Sequence, residues 1–445
     1  MKNFKKHFWQ LGKISLPLTL ATAASTLLVL IDSFFATRVS IESYEAVFLT
    51  LPIMGVGTGI GIGLAAAIAD LVSKEKDLVQ IKRLITASFV LSFISMLVFI
   101  YIGLFQTDLI ERTAGLNKLN PDSVIITEFR NYWSVILWTF PVQILFSLTI
   151  QFLTILEKQK VGTNIVIAML ILNVILDYVF TQVLPWGVEG LAYSSMGVFS
   201  AGVLLSVLPL KRESYFQLPY PTIFNKKFLT AFSRITITTL MIFLSIVIFS
   251  IMAIVLNKMA LEISTSALVI YAVFRQIMEV IIITTRGLSG GFIIYLGNAL
   301  RDKATQEYFP IYWAATGWIA VTNLAGAFLM LAVPTRLINF FENIDIGLYP
   351  DIVYALMLGA LILFIFITPR MGQIGFISLN KPVLLVTNSV VFVVMQLMAA
   401  FYWVPSYGVF GLIYAELVAC ILSGSIFLPL FFYHLNRAKR LDNLV

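Results

Sequence analysis

The stretch LVLIDSFFAT, residues 28–37, sets a single carboxylate, Asp32, in an apolar run with no other charge between Lys13 and Arg38. A charged side chain at the centre of a bilayer costs about 2.5–3.5 kcal/mol even on the gentlest insertion scale, so this position needs a partner, a proton or water. A second run, IVIAMLILNVILDYVF (165–180), carries Asp177 with Asn173 four residues before it. That spacing puts both on one helical face. Asp32 stands 19 residues beyond Lys13 and Asp177 stands 17 beyond Lys160. On two helices running the same way, both carboxylates reach a similar depth in the outer half of a membrane. If the two helices are neighbours, the three side chains offer several oxygens and up to two negative charges in a low dielectric. One chemistry for such a pair is holding a proton near neutral pH, because neither burial nor a like-charged neighbour favours a second ionised carboxylate. The other is caging a hard cation, Na⁺ at Asp32, Asn173 and Asp177, through oxygen ligands. The plainer alternative leaves Asp177 at the outer interface and Asp32 paired locally.

The elements that must position these groups are membrane helices. The chain has 445 residues, 59% hydrophobic and 12% charged, with a mean hydropathy of +0.94. A soluble protein carries about twice that charge. Apolar runs of roughly 20 residues recur, continuous rather than alternating, which predicts an all-α polytopic membrane protein and not a barrel. One cysteine, Cys420, excludes an internal disulfide and any Cys-based metal cluster, and His7 and His434 lie near the two ends. No cofactor and no nucleic-acid partner are expected. Lys2, Lys5 and Lys6 ahead of an apolar stretch and ATA at 21–23 imitate a signal peptide. The apolar run continues to Phe35, so it reads as an uncleaved first helix.

Twelve spans are expected near 12–38, 45–72, 81–106, 124–156, 160–183, 188–210, 228–257, 264–298, 306–334, 350–371, 380–403 and 408–434. The two end segments and alternate loops on one side hold 21 of the 30 Lys and Arg; the opposite loops hold five. The positive-inside rule then places both termini in the cytoplasm and the chain, multi-pass, in the inner (plasma) membrane. The longest polar break, 211–227, divides an N-terminal lobe, 1–210, from a C-terminal lobe, 228–445. GVEGLAY (187–193) recurs as GVFGLIY (408–414), an offset of 221 that also pairs Lys160 with Lys381 and KISL (13–16) with RITI (234–237). Two six-helix lobes of like orientation imply a pseudo-two-fold axis along the membrane normal, a transporter plan.

The second lobe lacks the carboxylate pair: the offset puts Ala253 and Met398 at those positions. It has instead Arg275 and Glu279, spaced for an internal ion pair and read mainly as structural, while Glu416 has no partner in sequence. Arg130 reads as a span-end residue reaching for the interface. Gly55, Gly59 and Gly63 recur at spacing four inside a span, which indicates close helix packing rather than a phosphate loop. Pro17, Pro52, Pro141 and Pro369 are candidate kinks.

SLPLTLATAASTLLVLIDSFFATRV, the glycine-rich second span and LNVILDYVFTQVLPWGVEGLAYSS resemble the multidrug and toxic compound extrusion (MATE) transporters over nearly the whole chain, and more narrowly their DinF branch. That branch pairs an aspartate of the first helix with Asn-x-x-x-Asp in the fifth and has a proline fifteen residues before the first aspartate. The matching positions are Asp32, Asn173, Asp177 and Pro17. Ser195 matches a hydroxyl of the sixth helix, where a threonine is usual. The other main branch carries acidic residues on helices seven and ten, which this chain lacks. The resemblance implies export of amphipathic, usually cationic compounds against inward H⁺ or Na⁺. Protonation of Asp32 would bend the first helix near Pro17.

Alternating access by a monomer acting on small amphipathic molecules among membrane lipids is the expectation. A lipid or lipid-linked oligosaccharide flippase remains the alternative, since Arg234, Arg275 and Arg286 could meet anionic headgroups. An enzyme is disfavoured, with no histidine inside a span and no Ser or Cys beside an evident base.

Overall fold

The computed structural model of the chain describes residues 2–73, 77–156, 158–211, 225–379 and 381–442, and no strand occurs among them. The helices are α1 (Lys2–Val39), α2 (Ile41–Ser73), α3 (Leu78–Phe105), the short α4 (Thr107–Ala114), α5 (Val124–Ile136), α6 (Thr139–Ile155), α7 (Gln159–Tyr178) and α8 (Gly187–Leu210). They continue with α9 (Lys226–Ile263), α10 (Thr265–Arg301), α11 (Tyr308–Ala332), the short α12 (Pro334–Ile338), α13 (Tyr349–Ile365), α14 (Ile367–Ser378), α15 (Pro382–Tyr407) and α16 (Val409–Asp442). Among the described residues ten helices are long and apolar enough to cross a membrane, and α5 with α6, bent by 48°, makes an eleventh. The remaining expected span, 12–38, falls within α1. Large apolar side chains such as Phe93, Leu204, Phe328 and Phe364 stand exposed. Hydrocarbon is the solvent such surfaces match.

The helices pack as two compact units, one of Ile31–Lys258 and one of Met1–Leu30 with Met259–Val445. The linker expected at 211–227 falls, over 212–224, outside the described residues.

Within Ile31–Lys258, the glycine stripe of α2 lies against α9. A Cβ at Gly55 would stand 3.0 Å from Ser250 Oγ, at Gly59 2.9 Å from Ile246 Cγ2, and at Gly63 3.0 Å from the Thr239 carbonyl. The close packing expected from the spacing is therefore present, and hydrogen side chains are what let the backbones approach. Gly59→Leu should push α2 from α9 and lower the yield of monodisperse protein at least several-fold on size-exclusion chromatography. A wild-type profile would show that the contact can relax.

The repeat detected in sequence also has a structural counterpart. Gly187 and Gly408, one offset apart, both have positive φ, +60° and +55°, at the turn into α8 and α16. Three residues on, a Cβ at Gly190 would meet the Phe180 carbonyl at 3.0 Å and one at Gly411 the backbone of Trp403 and Val404 at 2.7 Å. In both places a helix starts only because glycine tolerates the left-handed turn and then the passing backbone.

In the other unit the start of α1 docks on α10 and α11. His7 Nδ1 is 2.7 Å from the Tyr295 hydroxyl, Trp318 donates to the Phe8 carbonyl at 2.7 Å, and the Phe8 and Trp318 rings stack at 4.5 Å. Burial holds the His7 imidazole below its ordinary 6.5, with Lys6 adding to the shift and Glu307 opposing it. The folded state thus favours neutral His7, and the unfolded chain binds the proton first as pH falls. Stability should therefore be lost as pH drops below 6.5 towards the folded value. Thermal unfolding between about pH 7.5 and 5.5 should show a slope that His7→Gln flattens.

Candidate functional site

Helical periodicity alone puts Asn173 and Asp177 on one face of α7, and the fold brings that face to the last turns of α1. Asn173 Nδ2 donates to Asp32 Oδ1 at 2.9 Å, and Ser195 of α8 donates from Oγ to Asp32 Oδ2 at 2.8 Å. Asp32, Asn173, Asp177 and Ser195 are all buried, Asp177 completely. Residues from three helices far apart in sequence therefore converge within Ile31–Lys258.

Their hydrogen bonding is uneven. Both oxygens of Asp32 accept from a donor, so its charge is compensated. Asp177 lies beside Asp32 and Ser194, yet neither of its oxygens, nor Asn173 Oδ1, has a hydrogen-bond partner of normal geometry among the described residues. Three buried oxygens without a well-formed hydrogen bond, beside a second carboxylate, suit one positive charge, a proton or a hard cation.

Downstream of Asp177 the helix widens. Leu184 N–H donates to Val179 O at 2.8 Å, the i→i−5 pattern of a π turn over Val179–Val183, and Thr181 Oγ1 donates to the Asp177 carbonyl at 2.6 Å. Such single turns recur at functional sites because they re-aim a helix end. Here the turn leads to Pro185 and to the glycine that opens α8.

Spacing did not reveal two neighbours. Tyr132 of α5, buried, stands close to both aspartates, and Ser194 adjoins Asp177. Ser194 shares the GLAYSS stretch with Ser195, a usable signal; Tyr132 in NYWS looks like any aromatic of a span. Pro17 lies within α1, and its side chain is outside the described residues.

The second-lobe pair also forms, inside a larger network. Arg275 Nη2 is 3.3 Å from Glu279 Oε1, and its Nη1 donates to Glu416 Oε1 and Oε2 at 3.0 and 3.1 Å. Glu416, unpaired in sequence, is thus paired in space. Arg286 pairs with the other oxygen of Glu279. Arg370, near the end of the span expected at 350–371, lies in the first turn of α14. Arg130 does not simply reach for the interface: it pairs with Glu111 through two hydrogen bonds of 2.6 and 2.9 Å.

The MatE family model matches residues 17–179, the stretch that supplies Asp32, Asn173 and Asp177. An inward-facing multidrug resistance MATE family transporter of the MOP superfamily superposes with a TM-score of 0.81 at 18% identity, covering 93% of this chain and 95% of that one. The chain is thus similar to MATE transporters over its N-terminal part in sequence and over nearly its whole length in fold. A MATE structure in a bent conformation covers 99% of this chain and 97% of its own at TM-score 0.74 and 19% identity. A MOP superfamily transporter from Pyrococcus furiosus, described as having a binding pocket of reverse polarity that suggests a different function, covers 97% of each chain at TM-score 0.78 and 18% identity. No curated protein matches the sequence. What the chain shares with these structures is the helical membrane fold.

Proposed function

We propose that this protein is a MATE-family secondary multidrug efflux transporter of the inner (plasma) membrane, with both termini cytoplasmic. It works as a monomer on amphipathic, cationic small molecules, exchanging them for H⁺ or Na⁺ by alternating access. The observation that carries this reading is the asymmetric carboxylate pair, in which Asp32 has two donors and Asp177 has none of normal geometry among the described residues. A proton on Asp177, or Na⁺ against Asp177 and Asn173 Oδ1, leaves Asp32 ionised and hydrogen-bonded. Removing that charge sets two carboxylates side by side in a low dielectric, a state the site relieves by rearranging. The cycle of binding and release is what could tie ion flow to the exposure of substrate.

The test is efflux of a fluorescent cation from proteoliposomes under an imposed proton gradient and, separately, a sodium gradient. One gradient should accelerate efflux and the other should not. Equal rates with either gradient and with none would remove the antiport reading. The second reading, a lipid or lipid-linked oligosaccharide flippase, draws on Arg234, Arg275 and Arg286 of the C-terminal half, helix residues of which Arg286 is 42% exposed. Gradient-independent scrambling of an anionic lipid analogue would favour it.

A further inference from the structure

Within Ile31–Lys258, unsatisfied buried oxygens extend beyond the carboxylate pair into α6. Hydroxyl groups inside a span commonly satisfy themselves on the carbonyl three or four residues back. Thr149 of α6 does so, donating to the Phe146 carbonyl at 3.0 Å. Thr139 and Gln143, one turn apart on the same helix, do not. Thr139 Oγ1 and Gln143 Oε1 have no hydrogen-bond partner among the described residues, although the two residues are only 0% and 6% exposed.

Contacts between α6 and α8 fix the depth of these groups. Ser206 Oγ donates to Thr149 Oγ1 at 2.7 Å, and a Cβ at Gly202 would meet Phe146 Cε2 at 2.9 Å. The partners in these contacts are 57 and 56 residues apart, so the two helices run side by side in one direction. The same offset sets Thr139 level with Ser195, the donor to Asp32. Helical spacing agrees: Ser195 shares a face of α8 with Gly202 and Ser206, and Thr139 shares a face of α6 with Phe146. Gln143 lies about 6 Å further towards the cytoplasmic end of α6. Phe140 and Ile144 turn to α2, where Gly57 and Gly61 meet them. Thr139 and Gln143 thus face the space between α2 and α8.

The backbone and the next turn of α6 bound that space. α5 and α6 meet at 48° between Ile136 and Thr139, and a span is broken inside a membrane where it lines a polar cavity rather than lipid. One turn beyond Gln143, Phe146 fills the notch at Gly202 and packs on Phe199 at 5.8 Å. Unsatisfied oxygens stop at this aromatic pair, because the Thr149–Ser206 pair beyond it is bonded to itself.

We propose, on the antiport reading, that Thr139 and Gln143 form a second station for the coupling cation, a monovalent ion with part of its water shell. Together with Asn173 Oδ1 and the oxygens of Asp177 they offer acceptors without donors, the ligand set a hard cation takes. A hydroxyl and an amide are neutral, so they hold the ion less tightly than a carboxylate. They lower the desolvation cost of moving it from Asp177 towards the cytoplasmic side.

The test uses the full chain. Binding of radiolabelled Na⁺ is measured in phosphatidylcholine nanodiscs without a gradient. Efflux of the fluorescent cation from proteoliposomes is measured against rising Na⁺ and, separately, rising H⁺. Thr139→Val and Gln143→Met keep the size of the side chain and remove one oxygen each. Each should raise the half-maximal concentration of the driving cation about tenfold, the scale expected when a supporting ligand is lost. The maximal rate should stay within about twofold, and Thr139→Ser, which keeps the hydroxyl, should restore the wild-type value. If Na⁺ drives efflux, its binding should weaken by the same factor. If one variant does not fold, the other gives the same readout. An unchanged half-maximal concentration, with or without a lower maximal rate, would overturn the station and leave the two residues structural. Wild-type efflux that neither cation drives would instead sink the antiport reading, and the station with it.

Discussion

Asp32→Asn should reduce gradient-driven efflux by roughly a hundredfold, the size expected if a membrane-buried charge interaction of 2.5–3.5 kcal/mol is lost from the coupled step. The variant is nearly isosteric, and its amide oxygen can still accept from Asn173 or from Ser195, so folding should survive. Asp177→Asn should do the same to coupling by a different route. On the proposed reading it takes away the group that would hold the proton or cation, and it leaves Asp32 with both of its donors. Both variants should keep the substrate affinity measured without a gradient to within a few-fold. Transport by Asp32→Asn at the wild-type rate would mean that its hydrogen bonds are architectural. Loss of binding together with transport would make Asp32 a substrate contact instead. Ser195→Ala tests the donor side: it removes one hydrogen bond to a charged oxygen, worth about 1.5–3 kcal/mol, and should shift the pH dependence of efflux without abolishing it.

The carboxylate site was legible in sequence to the extent that it rests on helical arithmetic. Asn173 and Asp177 share a face because they are four apart, and the charge of Asp32 is conspicuous because everything around it is apolar. That α1, α7 and α8 touch is a long-range fact, the Asn173–Asp32 bond spanning 141 residues, and spacing has no access to it. The resemblance to MATE transporters, not periodicity, pointed to Ser195. Tyr132 escaped because an aromatic in a span looks the same whether it faces lipid or a carboxylate. Pro369, read as a candidate kink, falls in the first turn of α14, which begins at Ile367, where a proline loses no hydrogen bond. The glycines of α2 were read correctly because their period is itself the packing signal.

Arg275→Leu should be the most destabilising single change in the C-terminal half. Arg275 is the only described partner of Glu416, 141 residues away in sequence, and the side chain of Glu416 is 13% exposed. Breaking a buried ion pair by removing one member costs about 3–5 kcal/mol, because the other charge stays in a low dielectric without its counter-ion. Arg275 is itself one quarter exposed, so the lower end of that range is expected, still enough to lower the midpoint of thermal unfolding by several degrees. The double variant Arg275→Leu/Glu416→Leu separates the two accounts of the pair. If the ion pair only neutralises itself, removing both charges should restore most of the lost stability, because an apolar pair of similar volume is often no worse than a buried ionic one. If the double variant is as unstable as Arg275→Leu, the guanidinium is needed elsewhere. Its remaining partner is Glu279, which in the single variant would bind Arg286 alone.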